Sequence, residues 1–126
     1  MRNVRGKPIG VSKLYTMYIV NTSFMVDPSV HDCWMESLRK HYLPLLQQEA
    51  FGRVTFTRVL SAGPEDHYTY SLQIEVDTIS QYKHLTEELL TDYTQILQTL
   101  FADRVLWFNS LMKQIEIDPN VAPLMN

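Results

Sequence analysis

Residues 17–46 read MYIVNTSFMVDPSVHDCWMESLRKHYLPLL and carry the strongest structural signal in this 126-residue chain. The first ten residues are rich in β-branched and aromatic side chains, which favours a β-strand. Asp27-Pro28 then predicts a helix start, because an N-cap carboxylate accepts from free backbone N–H groups and proline suits the first helical position. We therefore expect a strand, a sharp turn and a helix.

Apolar side chains recur at three- and four-residue spacing after this turn, which is typical of a helix with one buried face. The predicted core-facing stripe consists of Val30, Trp34, Leu38, His41 and Leu45. Pro44 lacks a backbone N–H and crowds the preceding turn, so the helix is expected to kink or end near Tyr42.

A second set of elements follows the first. Strands are predicted over residues 53–60 and 67–76, with a Gly63-Pro64 turn between them. Asp77-Thr78 predicts a second helix with Gln81 completing a capping box. The apolar positions of that helix are Tyr82, Leu85, Leu89, Tyr93, Ile96 and Leu100.

A last strand is predicted over residues 104–117. The order strand–helix–strand–strand–helix–strand predicts an α+β, ferredoxin-like βαββαβ fold. Its four-stranded antiparallel sheet would carry both helices on one face. We expect one domain over residues 17–117, a mobile N-terminal extension over 1–16 and a C-terminal tail over 118–126.

Charge is distributed unevenly along the chain. Residues 1–16 contain four basic side chains and no acidic one, whereas the whole chain has 11 basic and 14 acidic side chains and a formal charge of -3. A nucleic-acid partner requires a clustered basic surface, so none is predicted for this acidic body.

Cysteine content and hydropathy limit the cellular locations that the sequence predicts. Cys33 is the single cysteine, which excludes an intrachain disulfide and fits a reducing, cytoplasmic location. No apolar run reaches the roughly 18 residues that a membrane span requires, so no membrane partner is predicted.

The face of the sheet away from the helices carries the main functional prediction. It would expose polar side chains of the two middle strands and bulky apolar groups of the last strand, either Val105, Trp107 and Leu111 or Leu106, Phe108 and Met112. An apolar patch of several hundred Å² seldom stays bare on a monomer. We therefore predict a homodimer closed sheet on sheet.

A few side chains are candidates for chemistry, each beside a purely structural alternative. His41 and His84 are candidate general bases, since imidazole titrates near neutral pH; the alternative for His41 is packing or capping beside Pro44. Trp34, His41, Tyr70 and Trp107 are candidate ligand contacts, and core packing is the alternative for both tryptophans. Buried tyrosines such as Tyr70 need a partner for the hydroxyl, which could be a ligand, a nearby Thr or Gln side chain or bound water.

Metal and cofactor motifs are absent from the sequence. His31 and Cys33 are two residues apart, which places them about 200° apart around a helix, so they do not easily share one ion. The chain has no HExxH, no paired CxxC, no glycine-rich phosphate loop and no GxSxG. We predict no metal site and no cofactor.

Residues 17–117 resemble an uncharacterised bacterial family of small ferredoxin-like proteins, described only as a domain of unknown function. The resemblance is carried by MYIVNTSFMV, by Val30-His31 with Trp34, by His41-Tyr42-Leu43-Pro44 and by VLWFNSLMKQIEI. It implies kinship with dimeric α/β-barrel proteins, which include cofactor-free monooxygenases, haem-degrading enzymes and stress-response proteins.

The resemblance supplies no established catalytic residues. Haem-degrading members use an Asn, Trp and His constellation; Asn21 and His84 are present here, but the second helix has no Trp. Three hypotheses follow: a dimer that binds a small, partly apolar molecule in the barrel interior, a cofactor-independent monooxygenase-like or isomerase-like enzyme, and a non-catalytic interaction module.

Overall fold

The computed structural model describes residues 17–115 and residue 117. The predicted extension over 1–16 and the predicted tail over 118–126 lie outside the described residues. The β-strands are β1 (Tyr18–Val26), β2 (Val54–Val59), β3 (Tyr68–Val76) and β4 (Val105–Lys113). The α-helices are α1 (His31–His41), α2 (Leu43–Gln48), α3 (Ile79–Lys83) and α4 (Leu90–Phe101). Short 3-10 turns cover Pro28–Val30 and Ala102–Arg104, and a π-helical segment covers His84–Leu89.

The four strands form one sheet in the order β2-β3-β1-β4, with antiparallel neighbours throughout. In the centre of the sheet Phe24 lies opposite Tyr70 on one side and Trp107 on the other. The predicted ferredoxin-like α+β fold is confirmed by this order of elements and strands.

The turn after β1 forms as predicted. Asp27 Oδ1 accepts from Ser29 N at 2.8 Å and from Ser29 Oγ at 2.7 Å, and Pro28 begins the 3-10 turn. This cap satisfies a backbone donor that the helix cannot satisfy itself. The chain therefore reverses onto the sheet directly after β1.

The first helical region breaks where Pro44 predicts it. Helix α1 ends at His41, Tyr42 leaves helical geometry with φ −121°, and Pro44 lies in the first turn of α2. The buried apolar side chains are Trp34, Leu38, Tyr42 and Leu46, at an unbroken spacing of four. The prediction that His41 belongs to the core stripe is wrong, because this four-residue spacing buries Tyr42 and leaves His41 exposed.

The second helical region begins at the predicted capping box. Gln81 N donates to Thr78 Oγ1 at 3.0 Å, and Gln81 Oε1 accepts from Asp77 N at 2.7 Å. Further along this region Tyr93 is buried as predicted, but Leu89, Ile96 and Leu100 are not, because the π-helical segment inserts one extra residue per turn. Leu90 N bonds to Leu85 O across that segment, and the buried positions become Leu85, Leu90, Tyr93, Leu97 and Phe101. Ile96 is only half-buried and Leu100 is exposed.

Aromatic rings fill the centre of the core between the sheet and the helices. Tyr42 and Tyr93 stack with ring centroids 4.8 Å apart, and Phe24 contacts both Trp34 and Tyr93. Burial raises the pKa of both phenols, Tyr42 and Tyr93, because the charged phenolate loses its hydration. The core therefore holds two hydroxyls that stay neutral over the physiological range.

The two stacked tyrosines differ in hydrogen bonding. Ser37 Oγ donates to Trp34 O at 2.7 Å, so the Tyr93 hydroxyl donates to Ser37 Oγ at 2.9 Å. Among the described residues no polar atom lies within hydrogen-bond distance of the Tyr42 hydroxyl. One hydroxyl is thus satisfied and the other is not.

Replacing these hydroxyls should have opposite effects on stability. We expect Tyr93→Phe to cost about 1 kcal/mol of unfolding free energy, since it removes a buried hydrogen bond. Tyr42→Phe should be neutral or stabilising by up to about 1 kcal/mol, since it removes a desolvated hydroxyl. Urea denaturation of both variants measures the difference, and an equal loss in both would contradict the assignment.

Candidate functional site

The sheet has one face packed on the helices and one that no described element covers, which we call the open face. Side chains at the even positions of β1, such as Phe24 and Val26, are buried against the helices. Cross-strand register then places the odd positions of β1 and β3 on the open face. The prediction that one side of the sheet lacks helical cover is confirmed for the described residues.

The middle of the open face is polar and uncharged. Its side chains are Asn21, Ser23, Thr55, Thr57, Ser71, Gln73 and, opposite Asn21 on β4, Ser110. Ser71 Oγ donates to Asn21 Oδ1, and Asn21 Nδ2 donates to Ser23 Oγ at 3.2 Å. We call the trio Asn21, Ser23 and Ser71 the polar centre.

Apolar side chains lie beside the polar centre, along β4 and the ends of β1. Leu106 lies opposite Met25 in the register, and Met112 lies opposite Ile19. Leu106 and Phe108 are 50% and 53% exposed, respectively. Of the two alternating sets predicted for the last strand, the set Leu106, Phe108 and Met112 faces away from the helices.

Glu75 is the one ionisable strand side chain directed to the open face within the described residues. Its Oε1 accepts from Arg53 N at 3.1 Å at the start of β2, and its backbone O accepts from Gly52 N at 2.9 Å. A Cβ on Gly52 would lie 2.8 Å from Glu75 Cβ, so only glycine permits this approach. Glu75 is thus held near the end of β3, opposite Ile19 and at the next same-face pair from Asn21 and Gln73.

Trp34 and Tyr70, two predicted ligand contacts, come together on the helix side of the sheet. Their ring centroids are 5.1 Å apart, and Phe56 stacks on Tyr70 at 5.2 Å. Trp34 is fully buried and Tyr70 is 8% exposed. Trp34 thus lies in the core, which is its purely structural alternative, and neither side chain lies on the open face.

Trp107 also points to the helix side, opposite Phe24, but it is only half-buried because β4 is an edge strand. It lines a shallow depression of about 290 Å³ with Gln98, Ala102 and Asp103. Ala102 has a φ of 52°, a conformation that is unfavourable for a residue with a Cβ. This depression is separate from Trp34 and Tyr70.

His41, a predicted base and ligand contact, lies on the outer surface of the helices. It borders a groove of about 440 Å³ that Ile96, Thr99 and Leu100 of α4 also line. The groove lies on the helical layer, so His41 does not reach the open face.

His84, the second predicted base, lies between two carboxylates. Its Nε2 is 3.2 Å from Glu49 Oε1 and its Nδ1 is 3.3 Å from Glu88 Oε1. The hydrogen bonds to Glu88 and then to Glu49 raise the pKa of His84 above 6.5, because they favour the imidazolium. A general base must be neutral, so this environment does not favour that role for His84.

His31 is a further candidate, and its sequence context predicted only an unfavourable metal-ligand pair with Cys33. His31 Nε2 lies 2.7 Å from the Tyr70 hydroxyl, and its Nδ1 lies 3.0 Å from Asp32 Oδ1. The available signal was the helical spacing of three between His31 and Trp34, together with the need of Tyr70 for a hydroxyl partner. Across the described residues, no group of three or more His, Cys, Asp or Glu side chains is placed to hold a metal ion.

The ion pairs of His84 should make stability depend on pH. Because the folded-state pKa lies above the unfolded value of 6.5, the stabilisation is fully present below pH 6.5 and disappears as pH rises through the folded pKa. We therefore expect wild type to melt above His84→Gln in mildly acid buffer, with the gap closing in alkaline buffer. Thermal melts of both proteins across this range measure the gap, and a gap that stays constant would contradict the assignment.

Comparison with solved structures places this fold among known proteins. A dimeric ferredoxin-like protein from an uncultured marine organism superposes with a TM-score of 0.64 at 8% identity, covering 82% of this chain and 100% of that protein. The CPII protein of Thiomonas intermedia K12, bound to ADP, AMP and acetate, superposes with a TM-score of 0.42 at 12% identity, covering 81% and 93%. The first similarity supports the fold, and the second is too distant to carry an argument about this chain.

Sequence comparison identifies the family. No curated protein matches this chain significantly. Within residues 17–115 and residue 117, no helix is both long enough and apolar enough to cross a membrane. The model of a domain of unknown function, DUF4286, matches residues 17–115, which is nearly the whole described part. The chain therefore belongs to the DUF4286 family.

Proposed function

We propose that two copies of this chain close their open faces on each other and bind a small, uncharged and partly apolar molecule between them. The observation that carries the proposal is the composition of the open face, where an uncharged polar centre lies beside exposed apolar side chains. A face of this composition suits both a protein partner and a neutral ligand.

The exposed apolar groups of β4 support the homodimer. Leu106 and Phe108 are each about half exposed on the same face of one strand. Large apolar groups gathered on one surface mark an interaction site more often than a bare surface. A two-fold axis would bring the same groups of both copies together, as self-complementary interfaces require. The marine protein of the same fold is itself described as dimeric.

The polar centre supports the neutral ligand. An asparagine amide has two donor hydrogens and an acceptor oxygen with two lone pairs. The bonds to Ser71 and Ser23 use one donor and one lone pair of Asn21. The remaining capacity favours a ligand with its own donor and acceptor, and the apolar side chains nearby favour a ligand with an apolar portion.

The enzyme hypothesis receives less support from the geometry. His41 and His84 both lie on the helical layer, so they would not face a cavity between two sheets. Glu75, the one ionisable side chain that the strands of the described residues direct to the open face, is bonded to Arg53 N near the end of β3. General acid–base chemistry needs a titratable group within reach of the substrate, and the polar centre consists of hydroxyls and an amide. Binding is therefore preferred to catalysis.

A charge on the open face should prevent dimer formation. We expect Leu106→Asp to shift the protein to monomer mass, because the carboxylate would be buried without a partner in the interface. Leu111→Asp is the matched control, since Leu111 is 49% exposed on the same strand but points to the opposite face. Light scattering coupled to size exclusion measures the mass of each protein.

Both substitutions need a check of folding by circular dichroism, so that monomer mass is not confused with unfolding. A folded Leu106→Asp protein that stays dimeric, or a wild-type protein that is monomeric at micromolar concentration, would contradict the homodimer. Loss of the dimer by Leu111→Asp alone would place the interface on the other face.

Ligand binding can be tested separately from the dimer. We expect neutral, partly apolar compounds to raise the melting temperature of wild type, since a ligand at 100 times its dissociation constant adds about 2.7 kcal/mol. Asn21→Ala should lose this response, and Gln95→Ala, which removes an amide from the helical layer, should keep it. A thermal-shift panel of neutral and charged metabolites measures the response. If no compound raises the melting temperature of a dimeric protein, the result would favour the hypothesis of a non-catalytic interaction module.

A further inference from the structure

A second chemical feature lies on the helix side of the sheet, where Asp32, His31 and Tyr70 form a hydrogen-bonded row. Asp32 Oδ1 is 3.0 Å from His31 Nδ1, and His31 Nε2 is 2.7 Å from the Tyr70 hydroxyl. The row begins at a fully exposed carboxylate, passes through an imidazole that is 23% exposed, and ends at a phenol that is 8% exposed. It therefore connects an interior hydroxyl to solvent.

The chemistry of the groups fixes the direction of the hydrogen bonds. An ionised carboxylate only accepts, so the proton of the neutral His31 ring lies on Nδ1. Nε2 is then an acceptor, and the Tyr70 hydroxyl donates to it. His31 is thus placed to receive the phenolic proton of Tyr70, and Asp32 is placed to stabilise the imidazolium that would form.

Tyr70 differs from Tyr42 and Tyr93, the other core tyrosines, in having a base as the acceptor of its hydroxyl proton. The Tyr93 hydroxyl donates to a serine, which is a poor base, and the described residues offer the Tyr42 hydroxyl no partner. One-electron oxidation of a phenol is far easier when a base takes the proton, because the phenol radical cation is a very strong acid. Tyr70 is therefore the easiest of the three to oxidise.

The groups around Tyr68 and Tyr70 also make Tyr70 the easier of the two to oxidise. Tyr68 contacts His31 edge-on at 4.9 Å, but Arg58 lies over its ring with the guanidinium carbon 4.7 Å from the centroid. A cation over the ring opposes removal of an electron from Tyr68. Tyr70 instead contacts uncharged Trp34 and Phe56 at 5.1 and 5.2 Å.

The burial of Tyr70 limits the reactions in which its hydroxyl can take part. Tyr70 is 8% exposed, so a substrate can hardly contact its hydroxyl. Burial therefore disfavours acid–base or nucleophilic catalysis by Tyr70. An oxidant can take an electron from Tyr70 without touching its hydroxyl oxygen, and His31 can accept the hydroxyl proton. The combination favours redox chemistry at Tyr70.

We propose that Tyr70 is a redox-active tyrosine whose proton is transferred to His31. An outer-sphere one-electron oxidant, such as a metal polypyridyl complex in its +3 state, takes one electron from Tyr70 and becomes the +2 complex. The O–H bond of Tyr70 breaks, its proton forms an N–H bond at His31 Nε2, and a neutral tyrosyl radical remains. Reduction by one electron returns the proton to Tyr70. The site lies on the other side of the sheet from the open face and does not rest on ligand binding there.

Flash oxidation by photogenerated tris(bipyridine)ruthenium(III), followed by high-field electron paramagnetic resonance, tests the proposal on the full chain. A tyrosyl radical that accepts a hydrogen bond from an imidazolium has a lowered g-tensor component, which separates it from radicals at surface tyrosines. We expect this component in wild type and in Tyr93→Phe, and we expect Tyr70→Phe to lack it.

The rate of radical formation tests the role of His31. We expect His31→Gln to slow formation of the Tyr70 radical at least about tenfold, since each tenfold in rate is about 1.4 kcal/mol of barrier. The radical that still forms in this variant should lack the lowered g-tensor component, because no imidazolium donates to it. Asp32→Asn should slow formation less, and because its side chain is fully exposed this variant should fold even if His31→Gln does not. Survival of the component in Tyr70→Phe would overturn the proposal. So would unchanged rates in Asp32→Asn and in a folded His31→Gln.

Discussion

Both helical regions pack on the same side of the four-stranded sheet, and this constraint organises the described part of the chain. Right-handed crossovers place both helical regions on the same side, where they bury Phe24, Trp34, Leu38, Tyr93 and Val105. On the other side most alternate residues stay at least partly exposed, although Ser71 is only 8% exposed. The covered side therefore holds the packed core, and the open face is the surface on which the proposed partner and ligand would bind.

The open face combines properties that are usually separated. Its polar centre is bonded within itself through Asn21, while Leu106 and Phe108 remain half exposed a few residues away. A purely hydrophobic face would suit a permanent dimer without a cavity, and a purely polar face would suit solvent. The mixture is typical of ligand sites, where a few polar groups orient a molecule that apolar groups surround.

Local sequence rules were sufficient for the fold because each signal acts on its own element. The Asp27-Pro28 turn, the Thr78–Gln81 capping box, the break at Pro44 and the alternation along β3 all formed where they were predicted. These signals depend on backbone chemistry within a few residues. Sheet order then followed from handedness and the central hairpin.

Side-chain positions within the helices were harder to predict, because a shift of one residue turns a side chain away from the core. Because of the extra residue in the π-helical segment, Leu90 is buried instead of Leu89, and Leu97 instead of Ile96. No residue type predicts such a segment from the sequence. His41 was placed in the core where Tyr42 is buried. The contact between His31 and Tyr70 joins residues 39 positions apart, so it appears only when α1 packs on β3.

Photochemical carbene labelling of side chains, read by mass spectrometry across a dilution series, tests most directly whether the open face is an interface. Leu106 and Phe108 on the open face should become protected as concentration rises, while Ile79 and Leu100, which are equally or more exposed on the helical layer, should label equally throughout. Constant labelling of Leu106 and Phe108 at every concentration, or protection of Ile79 and Leu100 instead, would contradict the account.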